Sequence, residues 1–350
     1  MPTCATNISL FDYNLPQELI AQHPARRRDQ SRLMVLDRGS GEVRIDPFKS
    51  LVNYLKRGDA LVVNETKVFK ARLWGRRATG AKVEIFLVRM VDPTQPLQWE
   101  ALVSPSRRVK VGEEIHFDDL TVRLVADVGK GRWIIAFHSE RQRGRIIARF
   151  GHVPLPHYIR RDDQPSDLRR YQTIFADKDH VGAVAAPTAG FHFTKSIIDS
   201  LERKGVETIR LCLHVGPGTF KPVKTETIEE HVVDPEMATL SPKAAAAINR
   251  VRARGGKIVA VGTTSVRTLE SAPIDDDMVQ PFSGMVDLYI RPGYRFELVD
   301  HLVTNFHLPK SSLLILVSAL TGRERILSAY QEAIKQRMRF YSYGDAMLIV

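Results

Sequence analysis

Five apolar runs of β type follow one another closely between residues 67 and 152: AKVEIFLVRMV, LQWEALVSP, EEIHFDD, LTVRLVADVGKG and RWIIAFHSE. Turns rich in Gly and Asp separate these runs. Short strands at such close spacing are typical of a small barrel or a sandwich. Residues 67–152 are therefore predicted to form an all-β domain, most simply a barrel.

Strands and helices alternate outside this block. VGAVAAP, ETIRLCLHVG and KIVAVG have the apolar runs of strands, whereas residues 195–204, SPKAAAAINRVRARGG and TTSVRTLES have helical spacing. Such alternation favours a parallel or mixed sheet flanked by helices. We therefore expect an α/β protein, a layered α/β/α domain with a mixed sheet. Residues 1–66 and 153–350 would form that domain, and the β-barrel domain of residues 67–152 would be inserted into it.

Local signals predict the ends of several elements. Thr194 or Ser196 should cap the helix at 195–204, with Gly205 as its stop, and Ser241 should cap the alanine-rich helix. Thr264 or Ser265 is the expected cap of TTSVRTLES. LPQELIAQ predicts a short helix, PFKSLVNYLKRGD a helix ending at Gly58, and MVDLYIRPGYRFELVDHLVTNF a β-hairpin around Pro292 and Gly293.

The charge of the chain is basic and unevenly spread. Its 51 Lys and Arg against 40 Asp and Glu give a net charge of +11. Between Glu65 and Arg160 there are 18 Lys and Arg against 10 Asp and Glu, an excess of 8. A local excess suits a phosphate backbone, although a solvated basic surface would have the same composition.

Two cysteines, Cys4 and Cys212, form no CxxC pair, which argues against a disulfide framework and a structural zinc site. The N-terminus lacks the pattern of a signal peptide, and the longest aliphatic run, LLILVSAL, is too short to cross a bilayer. We expect a cytoplasmic monomer with no membrane partner.

Three turns rich in Gly and Thr follow predicted strands: APTAGFHF, HVGPGTF and GTTS. Ligands of open α/β sheets bind where strands lead into helices, so three such turns together indicate a site, whereas each alone could be a plain connection. The chain has no GxGxxG, no GxxxxGK[ST] and no HExxH, which argues against nicotinamide, flavin, nucleoside triphosphate and zinc chemistry.

Two histidines stand out in these turns. His192 lies between Phe191 and Phe193, which fits either a buried core histidine or an acid–base group whose pKa is tuned by an apolar frame. His214 ends a predicted strand just before GPG, and the same two interpretations apply to it.

Nine motifs occur in one order along the chain: LIAQHPARRRDQSRLMVLDR, VVNETKVFKARLWGRR, VPLPHYIRR, RYQTIFA, VAAPTAGFHFT, LHVGPGTFKPV, VGTTSVRTLE, LVTNFHLPKSSLLILVSAL and RFYSYGDAMLI. Together they resemble the S-adenosylmethionine:tRNA ribosyltransferase-isomerases of queuosine biosynthesis, from about residue 10 to the C-terminus. The resemblance implies a layered α/β domain interrupted by a small barrel. It also implies that S-adenosylmethionine (AdoMet) is a ribosyl-donating substrate, with no metal and no further cofactor.

The implied reaction transfers and isomerises the ribosyl moiety of AdoMet onto 7-aminomethyl-7-deazaguanine in the wobble position of tRNA. Epoxyqueuosine forms, and adenine and methionine leave. The competing functions are a non-catalytic RNA-binding protein with a basic β module and an ordinary AdoMet methyltransferase, which the missing glycine-rich loop disfavours.

From their positions, we hypothesise that the three Gly/Thr turns and the C-terminal segment YSYGDA close around AdoMet. We hypothesise His192 or His214 as acid or base, and Asp345 as a holder of a ribose hydroxyl or of the incoming amine, unless Asp345 only caps a turn. The predicted AdoMet-binding residues are Thr188, Gly190, Phe191, Gly216, Gly218, Thr219, Thr263, Thr264, Arg267 and Tyr343, with Arg267 for the methionine carboxylate. ARLWGRR at 71–77 is the best candidate for phosphate contacts.

This chain departs from the family pattern at two positions. Asp234 stands where a histidine is common, and His157 stands where proline is frequent.

Overall fold

The computed structural model describes residues 6–92, 94–220 and 222–350. Its strands are β1 (Arg32–Leu36), β2 (Val43–Pro47), β3 (Ala60–Asn64), β4 (Lys67–Val68), β5 (Arg72–Arg76), β6 (Lys82–Met90), β7 (Gln98–Ser104), β8 (Glu114–Phe117), β9 (Leu120–Gly129), β10 (Arg132–Ala136), β11 (Gly151–His152), β12 (Val181–Ala183), β13 (Glu207–Leu213), β14 (Glu236–Leu240), β15 (Ile258–Val261), β16 (Ile274–Asp275), β17 (Met278–Val279), β18 (Phe282–Val286), β19 (His301–Asn305) and β20 (Ala346–Ile349). Its helices are α1 (Leu51–Tyr54), α2 (Glu140–Phe150), α3 (Asp167–Arg170), α4 (Lys195–Lys204), α5 (Pro242–Ala253), α6 (Thr263–Glu270), α7 (Ser312–Thr321) and α8 (Arg323–Lys335). Cys4 lies outside the described residues, and Cys212 is a buried free thiol.

A nine-stranded mixed sheet runs through the larger domain in the order β18-β14-β13-β3-β15-β19-β20-β1-β2. Strands β13, β3, β15 and β19 are parallel to one another. Ala60 and Val62 of β3 pack into a core with α5 to α8, whereas Leu61 and Val63 pack into a second core with α1 and α4. Because helices cover both faces, β3 and β15 are apolar over nearly their whole length. The predicted layered α/β/α fold is confirmed.

Strands β5, β6, β7, β10, β9 and β8 form a closed antiparallel barrel, as predicted. The barrel closes where Arg76 of β5 pairs with His116 of β8. A Cβ at the neighbouring Gly75 would lie 2.6 Å from Cγ2 of Ile115, so the close approach at this seam requires glycine. Helix α2, which the sequence pattern did not predict, follows β10 and buries Ile146 in the barrel core.

The predicted hairpin around Pro292 and Gly293 is wrong. Strand β18 lies at the edge of the sheet beside β14, whereas β19 lies in its centre between β15 and β20, and residues 287–300 between them form no strand. The carboxylate of Glu270 accepts hydrogen bonds from the backbone N–H groups of 297, 298 and 299. Backbone donors that a hairpin would have used are therefore engaged by the end of α6.

Helix ends are partly as predicted. Thr194 caps α4 and Gly205 ends it at a φ of 87°, and Ser241 caps α5. Two predictions are too long: LPQELIAQ forms only a 3₁₀ turn at Gln17–Leu19, and α1 stops at Tyr54, before the turn that Asp59 holds through the N–H of Lys56. The cap of α6 is Gly262, with a φ of 84° and no capping side chain, and not Thr264 or Ser265.

Candidate active site

A cleft with an open volume of about 580 Å³ lies at the carboxyl ends of the parallel strands. Parallel strands end at the same edge, so the turns after β13, β15 and β19 meet there. They contribute Thr219, Thr263 with Thr264, and His307 to the cleft wall. Of the residues predicted to bind AdoMet, the cleft wall contains Thr188, Thr219, Thr263 and Thr264.

The segment carrying Thr188 reaches the cleft by a route that the sequence did not indicate. Its strand, β12, pairs with β4 in a separate two-stranded sheet, so its turn does not occupy an equivalent position of the main sheet. The N–H groups of Val184 and Ala185 both donate to the carbonyl of Val215, at 2.9 and 3.3 Å. Two walls of the cleft are thereby joined by backbone hydrogen bonds.

The N-terminus of α6 forms another wall. Within the part of the chain that the structure describes, no side chain caps this helix, and the first N–H groups of a helix have no intrahelical partner. The hydroxyl of Thr264 is buried and has no hydrogen-bond partner among the described residues. Helix terminus and hydroxyl together can hold a carboxylate or a sugar hydroxyl.

A buried chain of hydrogen bonds leads from Thr188 into the protein. The Thr188 hydroxyl donates to Oδ1 of Asn305 at 2.9 Å, and Nδ2 of Asn305 lies 3.1 Å from Nε2 of His192. Nδ2 also donates to the carbonyl of Tyr341, which sets the orientation of the amide. Nδ1 of His192 lies 2.8 Å from the hydroxyl of Ser31.

The direction of these hydrogen bonds decides whether Thr188 offers a donor or an acceptor to a ligand. Because Asn305 donates to Nε2, His192 is neutral with its proton on Nδ1, where it donates to Ser31. Burial lowers the pKa of His192 to about 4, so the ring stays neutral at pH 7. With its proton engaged by Asn305, the Thr188 oxygen presents acceptor lone pairs to the cleft.

His214 does not belong to the cleft wall as the described residues form it. Its Nδ1 lies 2.7 Å from the hydroxyl of Thr66, and its ring packs against Gly182, where a Cβ would come within 2.8 Å. Burial, followed by the nearby His180, lowers the pKa of His214. This environment is that of a packed, neutral histidine.

A second cleft of about 640 Å³ adjoins the first, because Thr219 and Leu313 line both. Arg267 lines it, but its guanidinium is bound to the buried carboxylate of Glu236 and to the carbonyls of Val286 and Leu288. Glu236 also accepts from the N–H of Gly216 at 2.7 Å and from the Thr219 hydroxyl at 2.8 Å.

The position where the family commonly has histidine also lies in this second cleft. Asp234 accepts a hydrogen bond of 2.6 Å from Arg132 of the barrel strand β10. A Cβ at Gly218 would lie 2.5 Å from a carboxylate oxygen of Asp234. In this chain, position 234 therefore links the barrel to the glycine turn.

The other predicted residues lie behind the cleft. Phe191 and Tyr343 stack at 5.8 Å and line a smaller cavity of about 280 Å³ with His192. Gly190 is a packing position, since a Cβ there would lie 2.7 Å from Thr173. Asp345 is buried and accepts from the N–H groups of 32 and 339 and from the Arg32 guanidinium, which corresponds to the structural alternative weighed for it.

The segment YSYGDA, which we expected to close around AdoMet, contributes Tyr341 and Ser342 to the cleft wall, whereas Asn305 and Tyr158 of the wall were not predicted. Asn305 ends the apolar strand β19 and could have been noticed as a polar residue at a carboxyl strand end. The two tyrosines come from segments 183 residues apart, and their rings meet at 4.7 Å only in the folded chain.

The family model described as Queuosine biosynthesis protein matches residues 8–349. The chain belongs to this family. It is 50% identical to the S-adenosylmethionine:tRNA ribosyltransferase-isomerase of Symbiobacterium thermophilum, over 98% of this chain and 99% of that protein. It is 46% identical to the enzyme of the same name from Aquifex aeolicus, with the same coverage. The crystal structure of S-adenosylmethionine tRNA ribosyltransferase from Thermotoga maritima is 36% identical, with a TM-score of 0.55, over 98% of this chain and 100% of that chain. The predicted resemblance and the predicted enzyme class are confirmed.

No helix in residues 6–92, 94–220 or 222–350 is both long and apolar enough to span a membrane. Within the same residues, no three His, Cys, Asp or Glu side chains are grouped so that they could hold a metal ion. The absence of a metal requirement stays a prediction.

Proposed function

We propose that the protein transfers and isomerises the ribosyl moiety of AdoMet onto 7-aminomethyl-7-deazaguanine in the wobble position of tRNA. The products are epoxyqueuosine, adenine and methionine. The observation that carries this proposal is a cleft, in a member of this family, that joins a helix N-terminus, an unpartnered threonine hydroxyl and two tyrosine rings. A reaction on tRNA implies a cytoplasmic location, and a monomer is still expected.

The cleft suits the charges of AdoMet. The uncapped N-terminus of α6 can bind the methionine carboxylate, and it is a better candidate than Arg267, whose guanidinium is already paired with Glu236. The rings of Tyr158 and Tyr341 can attract the sulfonium through their faces. Thr188 can accept a hydrogen bond from a ribose hydroxyl, and the hydroxyl of Thr264, which has no partner among the described residues, can form a hydrogen bond with a second sugar oxygen.

For His192 we propose a positioning role. Both ring nitrogens are engaged and the ring is buried behind Asn305, so a proton on the ribose would have to pass through the Thr188–Asn305 pair to reach it. Burial that lowers the pKa of His192 to about 4 also makes it a weak base. His192 therefore orients Asn305 and, through it, Thr188.

The experiment is an incubation with AdoMet and tRNA that carries 7-aminomethyl-7-deazaguanine. Release of free adenine and methionine is the expected result. Formation of S-adenosylhomocysteine would instead indicate a methyltransferase, and tight tRNA binding without any product would indicate a binding module. Either outcome would refute the proposal.

A further inference from the structure

A groove with an open volume of about 1110 Å³ separates the barrel from the larger domain. The barrel contributes Phe86, Val103 and the turn at Lys130, and the larger domain contributes residues 154–158, Val184 with Ala185, and Pro217. The lining is largely apolar, formed by prolines and aliphatic side chains together with the Phe86 ring, and it includes the ion pair of Arg72 with Glu84.

The groove leads to the active-site cleft. Tyr158 lines both spaces, Ala185 in the groove is followed by Ala186 in the cleft, and Pro217 in the groove begins the 3₁₀ turn that carries Thr219 in the cleft. A chain bound along the groove would therefore present its next unit to the cleft.

Lys130 lines this groove on the barrel side, and Arg107 and Arg108 lie on the neighbouring turn. Arg107, Arg108 and Lys130 are exposed, and none of them forms an ion pair with a described residue. Two contacts hold their turns together: the N–H of Val103 donates to the carbonyl of Gly131 at 3.0 Å, and Nε1 of Trp133 donates to the hydroxyl of Ser106 at 3.2 Å. The three cations are thus presented on adjacent turns.

Three other arginines of the barrel are engaged in ion pairs within the protein. Arg72 pairs with Glu84 and Arg77 with Glu113, so the segment ARLWGRR, the best candidate from the sequence, has much of its charge neutralised. Arg132 bridges Glu100 and Asp234. Among the described residues, unpaired cations also occur elsewhere on the barrel, for example Arg123 and Arg141, but Lys130 is the unpaired cation that lines the groove.

We propose that the groove binds the single-stranded nucleotides that adjoin the reacting nucleotide, with their phosphates at Arg107, Arg108 and Lys130. Phosphates require exposed cations and unstacked bases require an apolar or aromatic surface, and the groove offers the two side by side. This inference rests on the proposed function, because it takes tRNA as the partner. The apolar floor places bases, and not only phosphates, in the groove.

The test compares two triple variants, each of which removes three positive charges. Arg107→Gln/Arg108→Gln/Lys130→Gln removes the cations at the groove, and Lys49→Gln/Arg123→Gln/Arg141→Gln removes exposed cations that also form no ion pair with a described residue. The probe is an anticodon stem-loop RNA carrying 7-aminomethyl-7-deazaguanine. Its Kd is measured across a range of salt concentrations, and AdoMet binding is measured separately by calorimetry.

We expect the groove variant to bind the RNA at least tenfold more weakly, with the slope of log K against log salt reduced by about 2, since each phosphate contact with a single strand contributes about 0.7. AdoMet binding should be unchanged, and the control variant should resemble wild type. An unchanged slope, or an equal loss in the control, would overturn the proposal. If wild type binds the RNA but releases no adenine, the proposed function fails while the groove is still tested by the same slopes.

Discussion

The substitution His192→Asn separates a positioning histidine from one that transfers protons. The Asn amide can keep the bond to Ser31, because it reaches the position of Nδ1, but it cannot reach Asn305. At pH 7.5 we expect the free energy of unfolding to fall by about 2 kcal/mol, about 1 for the lost hydrogen bond and about 1 for the smaller side chain.

The pH dependence of the free energy of unfolding is the more diagnostic measurement. The folded-state pKa of His192 is lowered from 6.5 to about 4, so its contribution to stability is fully present above about pH 6.5 and is lost as the pH falls toward 4. A shift of that size corresponds to about 3 kcal/mol. The variant lacks this titration, and its free energy of unfolding is about 2 kcal/mol below that of wild type at pH 7.5. Wild type loses about 2 kcal/mol as the pH falls to about 5, so the two curves of stability against pH should cross near pH 5.

The assay is urea unfolding followed by far-UV circular dichroism between pH 4 and 8. Tryptophan fluorescence would be the wrong probe, because Trp74, Trp99 and Trp133 all lie in barrel strands while His192 lies in the larger domain. Parallel curves for the two proteins across this range would refute the assigned titration. If the rate of adenine release changes with pH near pH 6 to 7 in wild type but not in the variant, the positioning role of His192 is refuted.

Three other outcomes follow from the same geometry. Thr188→Val and Thr264→Val should each lower kcat/KM for adenine release by roughly 10- to 100-fold, because each loses a hydrogen bond that contributes about 1–3 kcal/mol. Ser at either position should restore most of this activity. An equal loss with Ser would contradict a hydrogen bond from the threonine hydroxyl to the substrate. Glu236→Gln should lower the free energy of unfolding by about 3–5 kcal/mol because it leaves the buried Arg267 unpaired, and Glu236→Gln/Arg267→Met should recover part of it in urea unfolding; no recovery would argue against a paired role. His214→Ala should keep adenine release at saturating AdoMet within a few-fold of wild type, since its ring packs away from the cleft, and a loss of 100-fold or more with intact folding would restore His214 as a catalytic candidate.

The fold was predictable where local pattern and burial agree. Strands β3 and β15 are apolar on both faces, and the barrel strands follow closely spaced turns, so the layered sheet and the barrel were both predictable from the sequence. The region from 285 to 300 was mispredicted because the carboxylate of Glu270, from a separate helix, binds its backbone N–H groups. No periodicity within the segment carries that information.

The candidate site was predictable only as a set of turns. Thr188, Thr219, Thr263 and Thr264 could be proposed because each follows a predicted strand, and all four line the cleft. The turns do not indicate how far behind the cleft surface each side chain lies. His192 lies only four residues from Thr188, yet it reaches the cleft solely through Asn305, which is 113 residues away in sequence.

The short strands β4 and β12 pair with each other, and they lie in sequence just before the barrel and after it. Beyond β12, four residues lead to Thr188, and two of them are fastened to Val215 on the opposite wall. The connection from the barrel to the cleft wall is therefore short and hydrogen-bonded at both ends. A shift of the barrel relative to the main sheet would be expected to displace the segment that carries Thr188.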